Sequence, residues 1–378
     1  MRIALVHSFY GSAQPSGENS VVLDQAQALR DAGHDVELVG RETDVVQSEP
    51  LYAVRSALTV ATGRGPDPSD QFAAFRPDVV HVHNTFPNWG TAPLRAWASR
   101  TVATVHNFRP LCAAATLFRD GAPCHECLQT PVLPAIRHAC YRDSRLASVP
   151  VALGTRPRGP MRTLLRDAAA VTVLNEQARE VYTRILRRPV ELVPNFVDDA
   201  EEGPAHPRSG WVYVGRFTDE KGIVDLVRHW PHGEHLDVIG AGPAGAQVHA
   251  AAADRPDVTV MAPLDRTELR RRLAHYEGLV LPSLWAEGLP TVVLEALAAG
   301  TPSVVSLNVS AGASLRDLGV AGIYDPTLGE REISRALGTL RGRGDAMSLR
   351  ARTVHRSMYS REVWLSAITA IYERVARA

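Results

Sequence analysis

The chain has 378 residues and a mass of 41.0 kDa, with 45% hydrophobic and 22% charged residues. These values suit a globular protein of two domains and exclude a peptide, a fibre or a disordered chain. Forty-one basic residues balance forty-one acidic ones, so nucleic acid is not an expected partner and any polyanion contact must come from a local patch.

Short apolar runs alternate with helical patterns along the whole chain, which points to parallel sheets built from strand–helix–strand units. The N-terminal run Ile3-Ala4-Leu5-Val6 is too short for a signal peptide. No run approaches the roughly 18 apolar residues of a membrane span, so a cytoplasmic location is expected. Strands are predicted at 3–7, 36–39, 79–83, 102–106 and 171–174 in the first half. Between the first two, residues 18–32 place Val21, Val22, Ala26 and Leu29 on one face and stop at Gly33, which predicts a helix. The acidic, proline-containing stretch 195–209 reads as a linker.

The second half predicts strands at 211–214, 236–239, 258–261, 279–281 and 303–305, a helix from near Pro290 to Gly300, and a last helix over 363–376. The predicted fold class is α/β: two Rossmann-like, doubly wound parallel-sheet domains, 1–195 and 210–360, facing a central cleft. A C-terminal helix, 361–378, would cross back to the N-terminal domain. Ligands of open parallel sheets bind beyond the carboxyl ends of the strands, so chemistry is sought in the residues just after them.

Lys221 is the only lysine, against forty arginines, so it is a candidate for a role that a compact ammonium fills and a planar guanidinium does not. It lies in Gly215-Arg216-Phe217-Thr218-Asp219-Glu220-Lys221-Gly222, after a predicted strand. Arg216 and Lys221, flanked by Gly215 and Gly222, suit a diphosphate clamp, with ion pairing to Asp219 or Glu220 as the structural alternative. The segment from Leu281 to Pro302 reads strand, loop, helix. Leu289 stands where a capping side chain is usual, so the amides at this helix start are open to an anion. Glu287 precedes the helix and Glu295 lies within it, both suited to accept hydrogen bonds from ligand hydroxyls. Gly240-Ala241-Gly242-Pro243-Ala244-Gly245 matches a dinucleotide fingerprint, but no acid ends the next strand, so a tight turn near a nucleotide is the better reading.

The Gly-Arg-Phe-x-x-Glu-Lys-Gly segment, followed by Glu-Gly-Leu-Pro-x-x-x-Leu-Glu-Ala-x-Ala-x-Gly-x-Pro, resembles the family 4 retaining glycosyltransferases of the GT-B fold. The first half is similar in its opening strand, the Gly17-Glu18 loop, Val82-His83-Asn84 and Val105-His106-Asn107. The resemblance implies that Arg216 and Lys221 hold the diphosphate of a nucleotide-sugar donor, Glu287 faces the sugar, Glu295 binds the ribose and His106 contacts the sugar from the other domain. Backbone amides around Leu289, Thr291 and Val292 meet the sugar and phosphate, and the Gly17 and Gly242 loops border the donor. It implies metal-independent, retaining transfer to a glycan, glycolipid or small-molecule acceptor, in cell-surface polysaccharide or glycolipid biosynthesis. The alternatives are a sugar-nucleotide epimerase, decoration of a small natural product, and a binding protein without turnover. Pro290 and Ser16 depart from the glycines common in the family at those positions.

The cysteines follow the pattern Cys112-x11-Cys124-x2-Cys127-x12-Cys140. This spacing suits a closed thiolate site for a structural zinc ion, with His125 and His138 as substitute ligands. Reduced thiols or disulfides are the alternatives, disulfides being disfavoured in a reducing compartment. No catalytic cofactor is expected. Seven arginines between 137 and 166 face only Asp143 and Asp167 as opposing charges, which suits peripheral contact with anionic headgroups as well as a solvated surface. His81 and His83 alternate on a strand and read as structural or cleft-lining residues.

Overall fold

The computed structural model describes residues 1–12, 17–200, 208–342 and 344–377. Ser16 and the centre of the expected linker, 201–207, lie outside the described residues. The chain divides into two compact units. One comprises 1–119, 124–193 and 365–378, the other 120–123 and 194–364.

The first unit holds a six-stranded sheet of β1 (Arg2–Phe9), β2 (Asp35–Glu42), β3 (Val79–Asn84), β4 (Thr101–Val105), β5 (Ala170–Val173) and β6 (Glu191–Leu192), in the order β2-β1-β3-β4-β5-β6. All its pairings are parallel. The helix α1 (Gly17–Asp31) follows β1 and buries Val21, Val22, Ala26 and Leu29. It stops where Gly33 takes φ +84° and the His34 N–H returns to the Leu29 carbonyl over 3.0 Å, a left-handed closure that suits glycine.

The second unit holds β7 (Trp211–Val214), β8 (Leu236–Ile239), β9 (Val258–Met261), β10 (Gly278–Leu281), β11 (Ser303–Ser306) and β12 (Ala321–Tyr324), ordered β9-β8-β7-β10-β11-β12 and again parallel. Period-2 alternation sends Val212, Leu279, Leu281 and Val305 into one apolar cluster. It sends Trp211, Tyr213, Val280 and Val304 into another. With both faces covered, these strands read as unbroken apolar runs. Within these two sheets, β6 and β12 have no counterpart among the strands expected from the pattern, nor does a separate two-stranded pairing of Phe118–Arg119 with Ala122–Pro123. The helix after β10, α2, spans Thr291–Ala298, with Pro290 as its cap rather than its first residue. The last helix, α3, spans Arg361–Arg377.

Tyr372 of α3 is fully buried in the first unit, its hydroxyl 2.6 Å from His81 Nδ1. Among the described residues no helix is long and apolar enough to cross a membrane.

Candidate active site

Beyond β7, Gly215-Arg216-Phe217 leads into a 3-10 turn, Asp219–Lys221, and then Gly222. Gly222 takes φ +67°, and a Cβ there would stand 2.4 Å from the Pro282 carbonyl oxygen just after β10. Only glycine lets the two loops approach this closely. The Leu284 N–H then donates to the Glu220 carbonyl over 2.9 Å and ties them together. Lys221 from the first loop therefore meets Glu287 from the second. The ammonium donates to Oε1 of Glu287 and the buried Ser283 hydroxyl donates to Oε2. Lys221 Nζ also lies 5.7 Å from the Trp285 ring centre. The Lys221 and Glu287 side chains are only 16% and 8% exposed, so each charge depends on the other for compensation.

Arg216 is half exposed and stands 3.7 Å from the Glu220 carboxylate, the structural pairing weighed above. Its carbonyl accepts from the Tyr213 hydroxyl over 2.8 Å. Gly242 packs on the same loop: a Cβ there would stand 2.5 Å from the Phe217 carbonyl oxygen, and the Phe217 N–H donates to Ala241 over 2.9 Å. The start of α2, at Leu289, Pro290, Thr291 and Val292, has no side-chain cap. The buried Glu295 lies farther along the helix, with Arg266 Nε at 3.2 Å and Arg270 Nε at 3.7 Å. Sequence reasoning missed Ser283, Arg266 and Arg270. The arginine-dense helix Arg266–Leu273 carried a signal for the last two.

In the first unit, Asn19 of α1 reaches back to the end of β1. Its Oδ1 accepts from the Tyr10 N–H at 3.1 Å and from His7 Nε2 at 3.1 Å, and its Nδ2 donates to the Tyr10 carbonyl at 3.0 Å. Gly17 opens the same helix. His106 directly follows β4 instead of ending it. His83 Nδ1 lies 3.0 Å from His106 Nε2, and Asn107 Nδ2 donates to Glu18 Oε2 at 3.4 Å. Glu18, His83, Asn84, His106, Asn107 and Arg109 line a cavity of about 60 Å³.

Burial sets the charges of this region. It pushes the Glu18 carboxyl up to about 8, against the opposing pull of Arg109. It pulls His7 down to about 4 and His81 and His106 down to about 3, and His83 well below the usual imidazole range. The four imidazoles are therefore neutral in the folded protein.

The four cysteines are free thiols. Burial, then the nearby Cys112, Cys140 and Cys124 thiols, push Cys127 up to about 12. Cys112 packs with Phe108, Leu111 and Leu117, whereas Cys127 and Cys140 pack against a separate cluster around Phe86 and Ala135. Among the described residues no group of three or more His, Cys, Asp or Glu side chains is arranged to hold a metal ion. Of the seven arginines between 137 and 166, Arg162 is buried, with Nε 3.3 Å from the Pro110 carbonyl, and so does not belong to a surface patch.

Two family models match successive parts of the chain: Glycosyltransferase Family 4 over residues 15–201 and Glycosyl transferases group 1 over 208–340. No curated protein matches the sequence. A sucrose-phosphate synthase from Thermosynechococcus elongatus is similar in structure, with a TM-score of 0.67, 17% identity, and coverage of 99% of this chain and 98% of that one. A glycosyltransferase from Rickettsia africae gives 0.64 at 10% identity, covering 99% and 98%. Anabaena HepE in complex with UDP gives 0.57 at 14% identity, covering 99% and 100%. The order of the two matched segments follows the order of the two parallel sheets, so the chain belongs to the family 4 glycosyltransferases and has their GT-B fold.

Proposed function

We propose that the protein moves a sugar from a nucleoside-diphosphate donor to an acceptor hydroxyl with retention of anomeric configuration and without a catalytic metal ion. The observation that carries this reading is the Lys221–Glu287 pair, set on two tied loops of one unit that also holds the uncapped start of α2. As the donor's glycosidic bond breaks, charge grows on the leaving diphosphate. Lys221, Arg216 and the amides of the α2 start are groups that stabilise such charge. Both oxygens of Glu287 are engaged, one by Lys221 and one by Ser283. That favours a positioning and electrostatic role over a covalent sugar adduct, with the departing phosphate oxygen taking the acceptor proton. Glu295, beside Arg266 and Arg270, is the carboxylate proposed to accept from ribose hydroxyls. HepE, solved with UDP, supports a uridine nucleotide as the first donor to try. The acceptors proposed are a surface polysaccharide or glycolipid, with a small natural product next.

The test combines thermal shift against a panel of nucleotide sugars with donor depletion, with and without a mixed acceptor extract, both in EDTA. A ligand that binds only the folded state raises its apparent stability. Stabilisation by one nucleotide, acceptor-dependent depletion and a product of unchanged anomeric coupling are the expected results. Depletion without acceptor indicates the epimerase. EDTA-sensitive turnover restored by magnesium contradicts metal independence.

Peripheral membrane contact is a separate proposal. It is supported by Arg137, Arg142, Arg145, Arg156 and Arg158, all exposed, beside the exposed Leu133 and Leu146. Sedimentation with vesicles containing phosphatidylglycerol, and not with neutral phosphatidylcholine vesicles, is expected. Equal binding to both rejects this contact.

A further inference from the structure

His81 and His83 share one face of β3, with ring centres 4.0 Å apart, yet their hydrogen bonding differs. His81 has a partner at each nitrogen, the Tyr372 hydroxyl at 2.6 Å and the Thr104 hydroxyl at 2.7 Å, and so serves to seat α3 on the sheet. His83 has a partner at Nδ1 only, His106 Nε2 at 3.0 Å. Its Nε2 is buried without one. A neutral imidazole carries a single N–H, so exactly two arrangements satisfy the contact between the two rings. Either His83 donates from Nδ1, leaving its buried Nε2 bare and the His106 proton on Nδ1, or His106 donates from Nε2, forcing the His83 proton onto the buried, partnerless Nε2.

His7 shows which arrangement this interior accepts. The Asn19 amide is oriented by its two bonds to the Tyr10 backbone, so its Oδ1 requires His7 to carry the proton on Nε2. The buried, partnerless Nδ1 of His7 is therefore the proton-free nitrogen. Orphaned buried N–H groups are also rarer than under-satisfied acceptors in folded proteins.

We infer that His83 is a positioning residue that fixes His106 as the Nδ1–H tautomer, so that His106 offers its ligand a hydrogen-bond donor and not a base. This goes beyond the contact expected of His106: it names the group that sets its tautomer and the sign of the bond it makes, to an acceptor oxygen such as a sugar hydroxyl. The tautomer rests on the hydrogen-bond geometry of two neutral imidazoles, whereas its kinetic consequence rests on the proposed glycosyl transfer.

The experiment is two-bond ¹H–¹⁵N NMR of the full chain labelled in histidine, with His106 assigned by loss of its signals in His106→Gln. The expected spectrum shows the His106 proton on Nδ1. In His83→Phe, which cannot donate, His106 should shift toward the Nε2–H form, and turnover should fall roughly tenfold through misorientation. His83→Asn, whose amide returns a donor near the former Nδ1, should restore the tautomer and most of the rate. A wild-type His106 with its proton on Nε2 overturns the inference, and so does a His83→Phe spectrum with the tautomer unchanged. Should His83→Phe fail to fold, the wild-type spectrum decides alone. UDP binding is read in the same samples: loss of nucleotide binding in the wild type counts against the proposed function and leaves the tautomer result standing.

Discussion

Lys221→Ala is expected to lower turnover by about 10²–10³-fold, the usual loss when one preorganised group that stabilises transition-state charge is removed. Glu287→Gln is expected to lose a comparable factor. The double variant should lose little more than either single one, because the two side chains act as a unit bonded directly to each other. Stability should move differently. Lys221→Ala leaves Glu287 buried with only the Ser283 hydroxyl bond, so the apparent Tm should drop. Adding Glu287→Gln removes the stranded charge and should recover part of that loss. Lys221→Arg should not rescue activity. An ammonium between Glu287 and the Trp285 face fits where a planar fork does not, which matches the survival of one lysine among forty arginines. Steady-state kinetics and thermal melts of the four variants provide the measurement. Rates within threefold of wild type for Lys221→Ala or Lys221→Arg would remove the ammonium from the mechanism.

The central strands were legible because both faces of each sheet are covered. The runs at β7, β8 and β9 have the bounds expected from sequence, each a short apolar segment closed by turn residues. Strand β6 is two residues long and β12 carries a glycine at its second position, too little for any periodicity to mark. Among the site residues, Lys221 and Glu287 stood out separately. Their union across 66 residues of chain depends on a backbone bond from Leu284 and on the close approach at Gly222, which no local pattern carries. The same holds for His83 and His106. Alternation on β3 is visible in the sequence, but the register that sets Val82 opposite Ala103, and so brings the two histidines together, is a property of the folded sheet. The cysteine spacing is visible in the chain, whereas the approach of Cys112, Cys124 and Cys140 to Cys127 belongs to the folded structure.

Acidification should destabilise the first unit steeply. His7, His81, His83 and His106 have their folded values pulled down by burial, against about 6.5 in an unfolded chain. Below that pH the unfolded state binds protons that the folded state refuses, up to about four of them, and each adds roughly 1.4 kcal/mol per pH unit to the slope of stability against pH. Stability from this source is complete above about pH 6.5 and is lost as pH falls toward the folded values. Glu18 has the opposite sign. Its folded value, raised to about 8 by burial, means that the folded state holds a proton which the unfolded chain releases near pH 4.3, so its contribution declines as pH rises from there to about 8. Below pH 6.5 the histidines outnumber it, and between pH 6.5 and 8 it acts alone among these five groups. The maximum should therefore fall near pH 6.5–7, with a steep acid limb and a shallow alkaline one. Urea midpoints from pH 5 to 8, followed by hydrogen exchange of the β1, β3 and β4 amides, measure both limbs. Glu18→Gln should flatten the alkaline limb and leave the acid limb in place. A midpoint that stays constant between pH 5 and 7 would mean that the imidazoles gain protons without unfolding, and their buried, neutral state would have to be abandoned.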